Sequence, residues 1–190
     1  MYYFIEPKYF GKREIYIIPN ENIWTPNICT MCGGNNVITS VPASIEIKGI
    51  PCDFYENSGK LFISSKCLEV FRTLELTGYS VLPAQAKSEN SVLFSKNLEY
   101  YELIIQGKCG YAKDLHHNIL PKCDLCGRRF PLKESIAGLC FDNADYDGSS
   151  IFAFNNLTNL PIVDDVIKKQ LIKFKLSNFK FTAISEMIIM

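Results

Sequence analysis

The sequence predicts an α+β fold in which two helices pack on a mainly antiparallel sheet, within a single domain over residues 1–190. Short aromatic and β-branched runs, bounded by turn residues, recur along the chain. Apolar residues take helical spacing in only two places. Hydrophobic residues make up 47% of the chain. One core can therefore form without disulfide bonds.

The first half of the chain begins with strands. Residues 2–5 and 14–18 are aromatic and β-branched, and a proline follows each run. Residues 20–36 combine Asn, Pro, Gly and Thr without a period, which indicates turns. Residues 37–50 are strand-like again.

A strand-helix-strand unit is predicted at about residues 60–84. The strand covers residues 61–63, and Ser64 and Ser65 are candidate N-caps. The helix ends before Gly78, and residues 79–82 form the second strand. The apolar face of the helix consists of Cys67, Leu68, Phe71, Leu74 and Leu76.

The same unit is predicted again at about residues 160–184, one hundred positions later. A strand at residues 160–163 is followed by Asp164 and Asp165 in place of the serine caps. Asn178 takes the position of Gly78, where the backbone must turn left-handed after the helix. The apolar face of this helix consists of Ile167, Leu171 and Phe174. Any capped amphipathic helix followed by a strand has this pattern, so the alternative to a repeat is coincidence.

The region between the two units is predicted to contain no helix. Residues 98–105 form a strong strand, and residues 151–154 form another. The composition does not change in a way that would mark a linker, which favours one compact body.

Two short cysteine motifs, called knuckles below, lie at residues 27–36 and 121–130. The pairs are Cys29 with Cys32 and Cys123 with Cys126, and a glycine follows each pair. Two thiolates separated by two residues in a tight turn can face one metal ion. The four sulfurs of both knuckles suit a structural zinc site, which leaves no position for water or substrate.

The long separation of the two knuckles leaves other interpretations of the four cysteines open. The knuckles are separated by 90 residues, far more than in a compact zinc ribbon. A split zinc ribbon, with sheet and helix inserted between its halves, accounts for this separation. The other interpretations are a thioredoxin-like redox pair, which needs a Cys-x-x-Cys at a helix N-terminus, and thiols that bind no metal.

The remaining cysteines, the two histidines and an acidic segment are not predicted to bind a metal. Cys52, Cys67, Cys109 and Cys140 have no Cys-x-x-Cys partner, and their roles stay open, although Cys67 is predicted to be buried on its helix. His116 and His117 are predicted to be solvated rather than ligands. Residues 143–148 resemble the start of a calcium loop, but Phe154 stands where a bidentate glutamate is required.

The sequence is predicted not to be an enzyme and to act in the cytoplasm. It contains no recognised nucleophile, phosphate-binding or zinc-protease motif. It also lacks the apolar run of about 18 residues that a membrane span requires, and its N-terminus does not have the character of a signal peptide. Lys and Arg number 20 and so do Asp and Glu, which argues against nucleic acid as the partner.

The two knuckles and their flanking sequences resemble a bacterial group, the double-Cys-x-x-Cys-Gly proteins and related immunity proteins that accompany polymorphic or contact-dependent toxins. The resemblance covers nearly the whole chain. The segments that carry it besides the knuckles lie at residues 1–7, 53–64, 100–103, 146–152 and 176–179. It implies a protein that binds one cognate toxin and blocks it, with zinc holding the scaffold. Only Cys29, Cys32, Cys123 and Cys126 are transferred from the family pattern.

Three functional hypotheses follow. The first is a non-enzymatic immunity protein, which the resemblance implies. The second is a zinc-ribbon module that binds nucleic acid or regulates another protein. It needs a basic aromatic surface around the knuckles, for which Arg128, Arg129 and Phe130 are the only indication. The third is a thiol oxidoreductase that uses one Cys-x-x-Cys.

Overall fold

A computed structural model describes residues 1–8, 13–18, 26–33, 35–37, 43–57, 59–88, 99–130, 132 and 134–189. These residues include two α-helices, α1 (Ser65–Thr73) and α2 (Asp165–Lys173), and short 3₁₀ turns at Asn143–Asp145 and Ile184–Glu186. The strands, in chain order, are β1 (Tyr2–Pro7), β2 (Arg13–Ile18), β3 (Pro26–Ile28), β4 (Asn35–Val37), β5 (Ser44–Gly49), β6 (Phe54–Asn57), β7 (Lys60–Ser64), β8 (Tyr79–Ser88), β9 (Tyr100–Ile105), β10 (Gly107–Lys108), β11 (Ile136–Ala137), β12 (Phe152–Phe154), β13 (Leu157–Asp164), β14 (Phe179–Ala183) and β15 (Ile188–Ile189).

The strands form two main sheets. One has the order β10-β12-β13-β1-β14, and the other has the order β2-β5-β8-β9-β7-β6. All neighbours in these sheets are antiparallel except β10 with β12 and β5 with β8. Two further pairs, β3 with β4 and β11 with β15, are small antiparallel sheets. The prediction of an antiparallel-rich α+β fold with two helices is confirmed.

In each sheet a third strand lies between the two strands that flank a helix. β9 lies between β7 and β8, and β1 lies between β13 and β14. The registers correspond: Tyr101 pairs with Ile63 and Pro83. Tyr3 likewise pairs with Val163 and Ala183. The sequence predicted the strands beside the helices but not this insertion, because pairing between distant segments leaves no local signal.

The helix ends have the predicted caps. Ser64 Oγ accepts a hydrogen bond from the Cys67 N–H at 3.1 Å, and Asp164 Oδ1 accepts one from the Ile167 N–H at 2.7 Å. Each side chain satisfies a backbone donor that the first helical turn leaves unpaired. Of the two candidates named for each helix, the first is therefore the cap, and Ser65 and Asp165 are the first helical residues.

The turn after each helix is left-handed, as expected. Gly78 has φ +85°, and Asn178 has φ +65°. A Cβ at Gly78 would lie 2.1 Å from the Ile151 carbonyl oxygen, so only glycine fits there. Asn178 has room for its side chain, whose Nδ2 donates to the Phe54 carbonyl at 2.7 Å. Position 78 therefore requires glycine because a neighbouring backbone lies against it, whereas position 178 accepts asparagine.

The largest core cluster joins both sheets and both helices. Ile5 and Val163 of one sheet, Ile63 and Leu103 of the other, and Leu171 of α2 belong to the same buried cluster. Residues of α1 complete it, namely Cys67, Leu68, Val70 and Phe71. Two smaller clusters, around Phe152 and around Phe62, also contribute to the interior. That the chain is one domain stays a prediction, and this shared cluster supports it.

A buried carboxylate connects the start of α1 to the end of α2. Asp53 is 7% exposed. Its Oδ1 accepts from Ser64 Oγ at 2.8 Å, and its Oδ2 accepts from the Ser177 backbone N–H at 2.7 Å and from Ser177 Oγ at 2.8 Å. Burial acts to raise the pKa of Asp53, but these hydrogen bonds and the Lys66 ammonium outweigh it and lower the pKa.

Two expected segments differ in extent from the structure. The strand predicted within residues 37–50 occupies Ser44–Gly49, and residues 38–42 lie outside the described part of the chain. Residues 20–36, expected to be turns, include β3 and β4 on either side of the first knuckle, while residues 20–25 and 34 are outside the described part. Neither described helix is long and apolar enough to cross a membrane.

Candidate metal centre

The first knuckle is the loop of a small hairpin. β3 and β4 pair so that Ile28 lies opposite Asn35, and Cys29 follows β3 directly. The Gly33 N–H donates to the Cys29 carbonyl at 2.9 Å, which closes the turn around Cys29 and Cys32. Gly33 has φ +66°, a conformation that glycine adopts without strain. The glycine after the cysteine pair is therefore part of the turn itself.

The second knuckle has the same local geometry. The Gly127 N–H donates to the Cys123 carbonyl at 2.8 Å, and Gly127 has φ +73°. The Cys123 N–H donates to the Arg128 carbonyl at 2.8 Å, which fixes the start of the turn. Both knuckles therefore present two thiols from one side of a tight turn.

The structure brings all four predicted cysteines together. Their sulfur atoms lie within 4.8 Å of one another. The Cys29 and Cys123 sulfurs are 3.7 Å apart, and the Cys32 and Cys126 sulfurs are 3.6 Å apart. A disulfide needs about 2.05 Å, whereas four sulfurs around a tetrahedral metal at about 2.3 Å lie about 3.8 Å from one another. This group of four thiols could hold a metal ion.

The four cysteines differ in burial. Cys29 and Cys123 are buried, whereas Cys32 and Cys126 are partly exposed. Hydrogen bonds from the backbone N–H groups of Cys32 and Met31 outweigh desolvation and lower the pKa of Cys29 to about 6. The turn thus favours the thiolate, the form in which cysteine binds metals.

The other four cysteines lie elsewhere. Cys67 is buried on α1 as predicted, and burial raises its pKa well above the usual value. Cys109 is also fully buried, and its pKa is raised to about 12, chiefly by desolvation. Cys52 is buried, and Cys140 donates its S–H to the Asp114 carbonyl at 2.9 Å. Burial thus holds Cys67 and Cys109 as neutral thiols within the fold.

The histidine and acidic segments do not join the four-cysteine group. His117 Nδ1 lies 3.6 Å from Asp142 Oδ1 and 3.9 Å from Cys140 Sγ, and the side chain is 69% exposed. Asp147 accepts hydrogen bonds from the Lys108 and Ser149 backbone N–H groups, which places the acidic loop in a hydrogen-bonded turn. Within the described part of the chain, the four knuckle cysteines are the one set of His, Cys, Asp or Glu side chains close enough to share a metal.

The fold and the site together define an α+β protein that carries a four-cysteine cluster able to hold a metal ion. No protein-family model matches the chain, and no curated protein matches its sequence. The resemblance to the immunity-associated group is therefore a hypothesis.

Proposed function

We propose that this chain is a non-enzymatic binding protein that neutralises one cognate bacterial toxin, and that its four knuckle cysteines hold a structural zinc ion. The observation that carries this proposal is the closure of the four-cysteine group. With all four tetrahedral positions supplied by protein sulfur, a zinc ion there has none left for water or substrate. Such a site stabilises a scaffold, and the choice of a toxin as partner comes from the resemblance of the sequence.

Zinc is the metal that the ligand set favours. Four thiolates in a compact, roughly tetrahedral arrangement suit zinc, although iron also takes four thiolate ligands. Cys29 and Cys32 would be supplied by the β3–β4 hairpin and Cys123 and Cys126 by the second turn. This arrangement is a split zinc ribbon, in which the ion connects an N-terminal hairpin to a segment 90 residues further along the chain.

The two strand-helix-strand segments are, on this proposal, copies of one repeated unit. Both helices have nine residues, and they begin one hundred positions apart. Their caps, the left-handed turn residues and the inserted third strand also correspond. Agreement in strand register is stronger support than a capped helix alone, because register depends on the packing of the whole unit.

A redox function has less support than the binding function. A thioredoxin-like pair needs a Cys-x-x-Cys at a helix N-terminus. The described α-helices begin at Ser65 and Asp165, not at a knuckle. Each knuckle cysteine also has a sulfur of the other knuckle within 3.7 Å, which fits a shared metal better than two separate dithiols.

The test of the toxin hypothesis is protection in living cells. The full chain is co-expressed with the toxin encoded beside its gene, and colony formation is measured after toxin induction. We expect survival to return to the level of uninduced cells, and the two purified proteins to form a complex. Survival no better than with an empty vector, while the chain is soluble and abundant, would contradict the proposal.

A further inference from the structure

The outer face of α2 carries exposed apolar side chains. Val166 and Ile172 are 61% and 52% exposed, and Phe174, just after the helix, is 38% exposed. At 100° per residue, the exposed positions Val166, Lys169, Ile172 and Lys173 fall within one side of the helix. Three large apolar side chains therefore lie in solvent on or beside a helix of nine residues.

The other helix is a control within the same molecule. α1 exposes the corresponding four positions, and they are occupied by Lys66, Glu69, Arg72 and Thr73. The two helices have the same length and the same type of N-cap, and each packs against the strand that precedes it. An entirely polar outer face is therefore compatible with this helix geometry. Packing within the domain thus does not require the exposed apolar residues on α2.

The positive charge of α2 and the residues after it indicates the kind of partner that this face would bind. Residues 166–185 contain five lysines and no acidic residue. Lys169 forms an ion pair with Asp165 at 2.5 Å, and Lys180 forms one with Glu6 at 3.2 Å. Lys173 and Lys175 have no ion-pair partner among the described residues. Cationic side chains around exposed apolar ones complement a surface with carboxylates around an apolar centre.

We propose that the outer face of α2, formed by Val166, Lys169, Ile172, Lys173, Phe174 and Lys175, is the docking surface for a protein partner with an acidic surface. The inference deepens the proposed function and rests on it, since the partner expected there is the toxin. Isolated apolar side chains supply the desolvated contacts that dominate protein interfaces. A polyanion such as nucleic acid is disfavoured because the whole chain has no net positive charge.

Site-specific photo-crosslinking in the cells that encode the chain tests this surface. A benzophenone amino acid replaces Ile172 in one full-length variant and Arg72, the corresponding position on α1, in the control. We expect a protein crosslink from position 172, absent from position 72, whose partner peptide lies in an acidic surface segment. Crosslinks from position 72 alone, or from neither position, would overturn the docking surface.

Affinity for the crosslinked protein then separates this inference from the proposed function. The variant V166Q/I172Q replaces two exposed apolar side chains with neutral, helix-compatible ones, so we expect it to fold normally and to bind about tenfold more weakly or worse. K175E copies Glu75, which has φ +51° where Lys175 has φ +50°, and it should weaken binding most at low salt. Unchanged affinity in both variants, or binding of anionic vesicles or DNA that K175E abolishes, overturns the assignment. If the partner bound at α2 is acidic but not a toxin, the docking surface is supported and the toxin hypothesis is contradicted. If the chain neutralises a toxin that binds elsewhere, the toxin hypothesis is supported and the docking surface is contradicted.

Discussion

At the scale of single residues, Asp53 is the polar group on which the junction of the two helices depends. Its carboxylate accepts hydrogen bonds from Ser64 at the start of α1 and from Ser177 after α2. No local sequence pattern singles out this residue, because its partners lie up to 124 positions away. By contrast, the four knuckle cysteines could be selected from the sequence, since the Cys-x-x-Cys-Gly turn is a local pattern.

Asp53→Asn should lower the free energy of unfolding by about 2 kcal/mol at pH 7, because the amide nitrogen cannot accept these hydrogen bonds. The folded-state pKa of Asp53 lies below its ordinary value of 3.8. Its stabilisation is therefore complete above that value and is lost as the pH falls through the folded-state pKa. Urea unfolding across this range should show the two proteins converging at acidic pH. Exposed Glu69→Gln is the control, and a difference that stays constant down to the lowest pH would contradict the role of the carboxylate.

At the scale of elements, the two helix caps offer a matched comparison. Asp164→Ala should cost about 1 kcal/mol, the usual effect of losing an N-cap. Ser64→Ala should cost about 2 kcal/mol, because Ser64 also donates to Asp53. Ser65→Ala serves as the control, since Ser65 is already inside the helix. Equal losses for Ser64→Ala and Asp164→Ala in chemical unfolding would show that the bond to Asp53 contributes nothing.

Helices and caps were predictable because their signals lie within a few residues. The short strands β6, β10, β11 and β15 were not predicted, because runs of two to four residues acquire strand character only through their partners. The parallel pairing of β5 with β8 was likewise absent from the prediction. Pairing order is a property of distant contacts, which a local pattern does not contain.

At the scale of the whole molecule, one core cluster contains side chains from both large sheets and both helices. Because neither sheet can separate without exposing this cluster, we expect a single cooperative unfolding transition in urea for the metal-loaded protein. Far-ultraviolet and near-ultraviolet circular dichroism should report the same midpoint. Two resolved transitions would show that the sheets belong to separate domains and would contradict the single-domain prediction.

If the two distant knuckles form one zinc site, as proposed, the purified protein should contain zinc in a fixed ratio. Elemental analysis of the purified full chain should find about one zinc per molecule, as four thiolate ligands predict. The variants C32S and C126S should each lose most of this zinc, whereas C140S should retain it, because Cys140 lies outside the cluster. A folded wild-type protein without bound metal, or zinc retained at full occupancy in both C32S and C126S, would contradict a zinc site shared by the two knuckles.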